Sequence, residues 1–296
     1  MKRATLVLAA IVLLANCLPL LAEAPVGVNS REIKILLRTD AFDGPEDFFE
    51  SGLETLRALA RERKVTLREP GGEHTVKTRE IRYFDTSDFA LRSQGWLLRQ
   101  RVKVRKDRKA DTAEIAFKFN TSIRGKAAEA SVSAAESYAS DEEFEEDIIP
   151  VAEEGPWQSR YARRCKVKGL PVFDRPTLSQ LLEIYPSLSE AELPEETEFE
   201  TVGGPILERR IQPGYLDFGN GIMADLELTW FEDAEGVALA AEISYDYEIG
   251  GSKSSVPSLW ASLQFLPALH LALGDSWQPG LGKTSLIYER AGFQKP

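Results

Sequence analysis

Four cations alternate with uncharged residues in the segment WLLRQRVKVR (96–105), and this pattern limits the possible folds more than any other feature of the chain. The cations are Arg99, Arg101, Lys103 and Arg105. Successive side chains of a β-strand point to opposite faces, so this spacing places all four on one face, with neighbours about 6.6 Å apart. At an effective dielectric constant of ~20, each adjacent pair repels by roughly 2.5 kcal/mol. The row is therefore either exposed to water, or enclosed and neutralised by negative charge.

The chain as a whole is acidic, with 36 basic and 47 acidic residues and a formal net charge of -11. Nucleic-acid-binding domains are normally basic, so this balance predicts that nucleic acid is not a partner. The charge is also segregated, because residues 127–159 contain no Lys or Arg and include the acidic run DEEFEED (141–147). We predict an acidic, low-complexity insertion over residues 126–160, mobile or at a sheet edge. The acidic run is interpreted as a solvated loop or, alternatively, as a phosphate mimic that occupies a basic site.

An export signal is predicted at the N-terminus. Lys2 and Arg3 precede an apolar run that extends to Leu21, and AEA (22–24) has the small-x-small pattern of a cleavage site. We therefore expect a signal peptide over residues 1–24, a domain over residues 25–296, and a periplasmic or secreted location. An uncleaved N-terminal anchor is the alternative. No other stretch is apolar for about eighteen residues, so no membrane span is expected after cleavage.

Short alternating segments separated by turn residues run through most of the remaining chain. Examples are SREIKILLRT (30–39), HTVKTREIRYF (74–84) and AEIAFKFNTS (113–122), and residues 221–249 predict a hairpin. Helical spacing of apolar residues predicts a helix over 43–63. Ser254 or Ser255 as a cap, Pro257 and Gly274 predict a helix over 256–273, and KTSLIYER (283–290) is predicted as the last strand. About nine to ten strands with short links indicate an α+β, mainly β fold, in which an antiparallel barrel is covered by helices.

Most of these strands carry charges on one face and apolar side chains on the other. On the first strand, Glu32 and Lys34 share a face opposite Ile33 and Ile35. Such strands direct their charges either outward into water or into the barrel, with helices over the apolar outer face. The apolar helices and the segregation of cations from anions by strand favour a charged interior, but periodicity alone leaves both arrangements open.

The order of these segments resembles the CYTH, or triphosphate tunnel metalloenzyme, superfamily. SREIKILL (30–37) is similar to its opening E-x-E-x-K strand, and IRYFDTSDFALRSQGWLLRQR (81–101) to its YFDT…LRxR segment. AEIAFKF (113–119) is similar to the strand that supplies a lysine, and AAEISYDYE (240–248) to the late acidic strand. The resemblance extends discontinuously over most of the chain. It implies an eight-stranded antiparallel tunnel that binds a triphosphate group together with Mg²⁺ or Mn²⁺.

Carried over residue by residue, the resemblance assigns phosphate binding to cations and metal binding to acids on the charged strand faces. The phosphate-binding set is Lys34, Arg99, Arg101, Lys103, Lys118, Arg210 and Lys283. The metal-binding set is Glu32, Glu227, Glu242 and Asp246, whose carboxylates are the hard oxygen ligands that Mg²⁺ and Mn²⁺ prefer. The chain departs from the family pattern at Ser30 and Ser244, which stand where acids are usual.

The function that the resemblance implies is binding of a triphosphate or polyphosphate-type anion, with metal-dependent hydrolysis in the catalytic case. For an exported chain, polyphosphate or a phosphorylated small molecule is the expected partner. One alternative is a non-catalytic tunnel that serves as an anion-binding or structural module of the cell envelope. Another is an interaction protein whose basic strand faces outward, which predicts that Arg99 and Arg101 are fully exposed.

Overall fold

A computed structural model describes residues 27–106, 108–150, 157–249, 256–278 and 282–294, so the predicted signal peptide lies outside the described residues. These ranges fold into an α+β, mainly β structure. The strands are β1 (Ser30–Leu37), β2 (Thr66–Arg68), β3 (Lys77–Asp85), β4 (Trp96–Arg105), β5 (Arg108–Thr121), β6 (Ser140–Pro150), β7 (Trp157–Pro171), β8 (Glu200–Thr201), β9 (Ile206–Asp217), β10 (Met223–Glu232) and β11 (Ala238–Glu248). The α-helices are α1 (Pro45–Arg63), α2 (Ala90–Ser93), α3 (Arg124–Glu129), α4 (Leu178–Ile184), α5 (Val256–Leu273) and α6 (Lys283–Arg290), and short 3₁₀ helices lie at Thr39–Ala41, Pro186–Ala191 and Gly274–Ser276. Within these ranges, no helix is long and apolar enough to cross a membrane.

Nine strands of the described ranges form a ring in the order β9, β10, β11, β1, β6, β7, β5, β4 and β3. Pairing of β3 with β9 closes the ring, and the short strands β2 and β8 extend the sheet beside β9 and β3. The β10–β11 hairpin is antiparallel as predicted, but β1 and β6 are parallel. The prediction of eight antiparallel strands is therefore not confirmed.

The strand β6 accounts for this difference. The sequence predicts a mobile or edge insertion over residues 126–160, yet β6 lies inside the ring, between β1 and β7. Its apolar residues Phe144 and Ile148 are buried and occupy the strand face opposite Glu143, Glu145 and Asp147. The expectation of a mobile or edge segment is wrong for Ser140–Pro150, because the high content of acids masked a regular two-residue alternation.

The outer face of the ring is covered by helices where the sequence predicts them. Ile33 and Ile35 of β1 pack in one core cluster with Phe48 and Leu56 of α1 and with Leu269 of α5. Burial of each such side chain stabilises the fold by about 1.5–3 kcal/mol. This cluster fixes which face of β1 is turned outward, so its charged face is turned into the ring.

The helix α6 closes part of one end of the ring interior. Ile287 and Tyr288 pack against Tyr83 and Leu97, which lie on the same strand faces as Arg99. The prediction of a strand over 283–290 is wrong, because the residues that face the ring recur at 284, 287, 288 and 291. This three-and-four spacing is helical, and the contacts of α6 with the interior require it.

Candidate functional site

The row of alternating cations on β4 points into the ring. Arg99 and Arg101 lie opposite Tyr83 and Ile81 in the β3–β4 pairing. Both arginines are partly buried, and the side chain of Arg101 is 18 % exposed. These positions exclude the interaction protein with an outward basic strand, since that alternative requires both to be fully exposed.

The ring encloses a cavity of about 220 Å³, which we call the main cavity. Among the residues that the structure describes, nine cations and five anions line it, so positive charge is in excess. In an enclosed site of low dielectric, this excess is costly unless an anion balances it. The cations are Lys34, Arg92, Arg99, Arg101, Lys118, Arg160, Arg164, Arg210 and Lys283, and the anions are Glu32, Glu145, Asp147, Glu227 and Glu242.

Three carboxylates hold two lysines of the main cavity. Lys34 Nζ lies 2.8 Å from Glu32 Oε2 and 2.9 Å from Asp147 Oδ1. Lys118 pairs with Glu145, and its Nζ lies 3.6 Å from Asp147 Oδ2. Burial alone would lower the pKa of Lys34, but the charges of Asp147 and Glu32 outweigh burial and raise this pKa well above its usual value. Burial would raise the pKa of Glu145, but Lys118 reverses this effect and holds it well below the usual range.

The strand β6 also holds a cation of β7. Arg164 pairs with Glu143, and its Nη1 lies 3.5 Å from Glu145 Oε2. Although burial opposes it, the charges of Glu145 and Glu143 raise the pKa of Arg164 above its usual value. The acids of β6 therefore neutralise cations of β1, β5 and β7. These contacts support the interpretation of the acidic run as an occupant of a basic site, rather than as a solvated loop.

The cations on the opposite side of the main cavity form separate pairs. Lys283 Nζ donates a hydrogen bond of 2.7 Å to Glu242 Oε1 and lies 5.0 Å from the centre of the Phe231 ring. Arg210 pairs with Glu227. Each of these cations thus has a carboxylate partner in the protein itself.

A buried acid, Glu208, lies next to the cation row. Its side chain is 1 % exposed and lies 2.9 Å from Arg79 Nε and 3.8 Å from Arg101 Nη2. Burial would raise the pKa of Glu208, but Arg101 and Arg79 lower it to about 2. Burial and the positive charge of Arg101 lower the pKa of Arg79 to about 10, because together they outweigh the negative charge of Glu208.

Three arginines of the main cavity have no carboxylate partner among the residues that the structure describes. Within the described part of the chain, Arg92, Arg99 and Arg160 form no ion pair, and the Nε atoms of Arg99 and Arg160 are buried without a hydrogen-bond partner. Arg92 donates a hydrogen bond of 2.9 Å to Ser285 Oγ. Burial lowers the pKa of Arg99 and of Arg92, and the nearby cations Arg101 and Arg160 lower them further. Positive charge is therefore least compensated around these three arginines.

The far end of the ring interior is acidic. There a second cavity of about 160 Å³, the acidic cavity, adjoins the main cavity. Poor hydration and the negative charges of Glu32 and Asp225 raise the pKa of Asp246 to about 7. This end of the interior repels anions and attracts cations. It is lined by Ser30, Glu32, Glu143, Glu145, Arg164, Gln212, Asp225, Leu226, Glu227, Ser244 and Asp246.

The structure brings three of the four predicted metal ligands together. Glu32, Glu227 and Asp246 line the acidic cavity. Glu242 does not, because it lies in the main cavity and pairs with Lys283. Ser30 and Ser244 also face the acidic cavity, so the two departures from the family pattern occur at this end.

Another group of carboxylates matches the preference of a hard divalent cation more closely. Glu32, Glu145 and Asp147 each offer an oxygen, and these oxygens lie within 4.8 Å of one another. Glu145 and Asp147 were not among the ligands predicted from the sequence. Their signal was the two-residue spacing of acids at 143, 145 and 147, the same alternation that identified the cation row.

All seven predicted phosphate-binding residues lie in described ranges, and six of them line the main cavity. Lys103 does not; it is exposed near the end of β4. The prediction missed Arg92, Arg160 and Arg164. For the last two, the spacing of basic residues at 160, 164 and 166 in RYARRCKVK (160–168) was an available signal, because alternate residues of a strand share a face.

The first turn of α6 adds to the lining of the main cavity. Lys283, Thr284 and Ser285 follow the helix N-cap Gly282, and all four line the cavity. Amide groups in the first turn of a helix have no partners within the helix, and the helix dipole favours negative charge there. This turn therefore reinforces the positive potential near Arg92.

No protein-family model matches the chain, and no curated protein matches it. Several solved structures do. HpAC1 from Hippeastrum, a proposed adenylyl cyclase with a dominant triphosphatase activity, is 14 % identical, with 90 % of this chain and 98 % of that one covered and a TM-score of 0.47. A proposed adenylate cyclase from Bacillus halodurans is 14 % identical, with 88 % and 98 % covered and a TM-score of 0.40.

The Pct1 RNA triphosphatase of S. pombe, solved with the Spt5 CTD, is 12 % identical, with 84 % of this chain and 76 % of that one covered and a TM-score of 0.25. The solved structures that match this chain thus include proteins described as adenylyl cyclases and as triphosphatases.

Proposed function

We propose that this chain binds a phosphate-bearing anion of the triphosphate or polyphosphate type inside the strand ring. The observation that carries the proposal is the excess of cations around the main cavity, and above all the three partly buried arginines that lack a carboxylate partner within the described ranges. Unpaired charge in a poorly hydrated site is costly, and a phosphate group offsets this cost with negative charge and several acceptor oxygens. Arginine suits this role because its planar guanidinium binds phosphate through two parallel hydrogen bonds.

A divalent cation, Mg²⁺ or Mn²⁺, is the proposed cofactor. Glu32, Glu145 and Asp147 would hold it, since three close carboxylate oxygens are a donor set that fits a hard cation. Such an ion supplies neutralisation of phosphate charge when it is bound. It competes for these oxygens with the ammonium groups of Lys34 and Lys118, which hold them in the structure.

Metal-dependent hydrolysis of the anion is the catalytic form of the proposal. A non-catalytic anion-binding module is the second candidate, and a specific observation favours it. Ser30 and Ser244 place hydroxyl groups in the acidic cavity where the family pattern has acids, so this end offers fewer hard ligands. The two candidates differ in turnover and not in anion binding.

The proposed location is the periplasm or the outside of the cell, supported by the signal-like residues 1–24. Polyphosphate or a phosphorylated small molecule of the cell envelope is accordingly the proposed ligand. A tagged full-length chain that stays in the cytoplasm at full length would contradict this part of the proposal without affecting the site.

Calorimetric titration of the purified protein with tripolyphosphate, followed by a phosphate-release assay with and without Mg²⁺ or Mn²⁺, tests the function. We expect binding in all conditions. The protein is established as an enzyme if phosphate release requires the metal and Glu145→Gln abolishes it. The control variant Asp141→Asn, on the exposed end of β6, should retain the release. Binding without release would establish the binding module. Absence of binding would refute the proposal.

A further inference from the structure

The strand β6 divides the cations of the main cavity into two groups. Lys34, Lys118 and Arg164 each contact a carboxylate of β6. Arg92, Arg99 and Arg160 form no ion pair within the described residues, although Arg160 lies opposite Asp147 in the β6–β7 pairing. A strand of the protein thus already supplies negative charge to one side of the cavity.

The three arginines that form no ion pair within the described residues lie on the side from which an anion can approach. A third cavity of about 540 Å³, the outer cavity, shares Arg92, Asn120, Arg160 and Ser285 with the main cavity. Arg92 and Arg160 therefore lie where the two cavities meet, and Arg99 lies deeper. The acidic cavity is at the other end, where the carboxylates of Glu32, Glu143 and Asp225 repel an anion. An anion that enters through the outer cavity therefore first meets Arg92 and Arg160 and then Arg99.

We propose that β6 acts as a built-in counter-anion that limits the ligand to one or two bound phosphate groups, held by Arg92, Arg99 and Arg160. The inference rests on the proposed function and specifies the size of its ligand. Glu145 lies beside Lys118, and Asp147 lies beside Lys34. These two carboxylates occupy the space and neutralise the cations that a third phosphate group would need. A longer phosphate chain binds by its end only, and its remaining groups extend into the outer cavity.

The dimensions of the site agree with a small anion and do not by themselves set the number of phosphate groups. The main cavity holds about 220 Å³, below the roughly 300–1,000 Å³ of pockets that enclose drug-sized ligands. The outer cavity is lined largely by neutral groups such as Gln94, Thr121 and Gln158, and it gives a phosphate chain few additional charges to contact.

Calorimetric titration of the unmodified protein with orthophosphate, pyrophosphate and tripolyphosphate, at constant ionic strength and without divalent metal, tests the proposal. We expect affinity to increase from orthophosphate to pyrophosphate, and by less than threefold from pyrophosphate to tripolyphosphate. A further increase of tenfold or more with tripolyphosphate would overturn the size limit but leave the proposed function intact. Failure of all three anions to bind would overturn both.

Two substitutions test the assignment of residues. Arg160→Gln should weaken binding of all three anions by at least tenfold, whereas Lys103→Gln, a matched loss of charge on an exposed strand end, should change it by less than threefold. The double variant Glu145→Gln/Asp147→Asn frees Lys34 and Lys118, and tripolyphosphate should then bind at least tenfold more tightly than pyrophosphate.

Asp141→Asn is the control for the double variant, because Asp141 lies on the same strand but outside the main cavity. If the double variant does not fold, the single variant Asp147→Asn should show the same change in chain-length preference with a smaller amplitude. A folded variant that retains the wild-type preference would contradict the role of β6.

Discussion

Lys34 Nζ donates a hydrogen bond of 2.9 Å to Asp147 Oδ1, so a lysine of the first strand is neutralised by a carboxylate 113 residues further along the chain. The pair joins β1 to β6, the only parallel neighbours among the ring strands of the described ranges. It shows how an acidic chain encloses a row of cations: part of the compensating charge is built into the ring. The cations that remain uncompensated mark the place where the proposed anion would bind.

Replacement of Arg99 is predicted to stabilise the free protein and to weaken its response to anions. Arg99 is a poorly hydrated cation without a carboxylate partner, so Arg99→Gln should raise the free energy of unfolding by about 1 kcal/mol and Tm by about 2–4 °C in phosphate-free buffer. The rise in Tm that tripolyphosphate causes in the wild type should be largely lost. Differential scanning calorimetry with and without the anion measures both effects. A lower Tm in phosphate-free buffer would contradict the assignment of Arg99 as uncompensated.

Glu208 is predicted to make stability depend on pH in the acid range. Its folded-state pKa of about 2 lies below the usual 4.5, so its contribution is present above pH 4.5 and is lost as pH falls toward 2. Glu208→Gln should therefore cost about 3 kcal/mol at pH 7, and the difference from wild type should shrink on acidification. Urea unfolding at several pH values measures this, with the exposed Glu289→Gln as control. A cost that does not change with pH would show that Glu208 acts through packing instead.

The pair of Lys283 and Glu242 is predicted to be strongly coupled. Glu242 is buried, so Lys283→Met leaves a buried charge unpaired and should destabilise the protein by about 3–5 kcal/mol. The double variant Lys283→Met/Glu242→Met removes both charges and should recover most of this loss. Urea unfolding of the two single variants and the double variant gives the coupling energy. Additive losses would show that α6 is not fixed to the ring through this pair.

Metal binding is predicted to depend on β6. Asp147→Asn should weaken Mn²⁺ binding at least tenfold, since Asp147 belongs to the close group of carboxylates, whereas Glu242→Gln should change it less than threefold. Electron paramagnetic resonance of free Mn²⁺ measures the affinity without reference to turnover. The reverse ranking would favour the ligand set inferred from the sequence.

The sequence was informative wherever two-residue alternation stood out from its surroundings. The charged face of β4 was recognised because Arg99 and Arg101 alternate with apolar residues, and Lys34 and Lys118 were recognised by their positions in similar strands. The core of α1 also followed from apolar spacing, and α5 was predicted from the residues at its ends. Periodicity cannot state which face is inside, and here the packing of Ile33 and Ile35 against helices decided it.

Two segments were misjudged for related reasons. Composition suggested a loop for the segment that contains Glu145 and Asp147, but charge compensation inside the ring stabilises a strand there. The residues of α6 have a β-like composition, but the contacts of Ile287 and Tyr288 with the ring interior impose a helix. In both segments, long-range contacts that no local pattern contains outweigh intrinsic preference.

The position of β1 between β6 and β11 has a consequence for folding. Ser30 pairs with Glu145 on one side and with Glu248 on the other, so both neighbours of the first strand are far away in the chain. Closing such long loops costs entropy before any contact is gained, and high contact order slows folding to milliseconds or seconds. During synthesis, β1 stays without its final neighbour until almost the whole chain has left the ribosome, and its apolar face must be shielded until then.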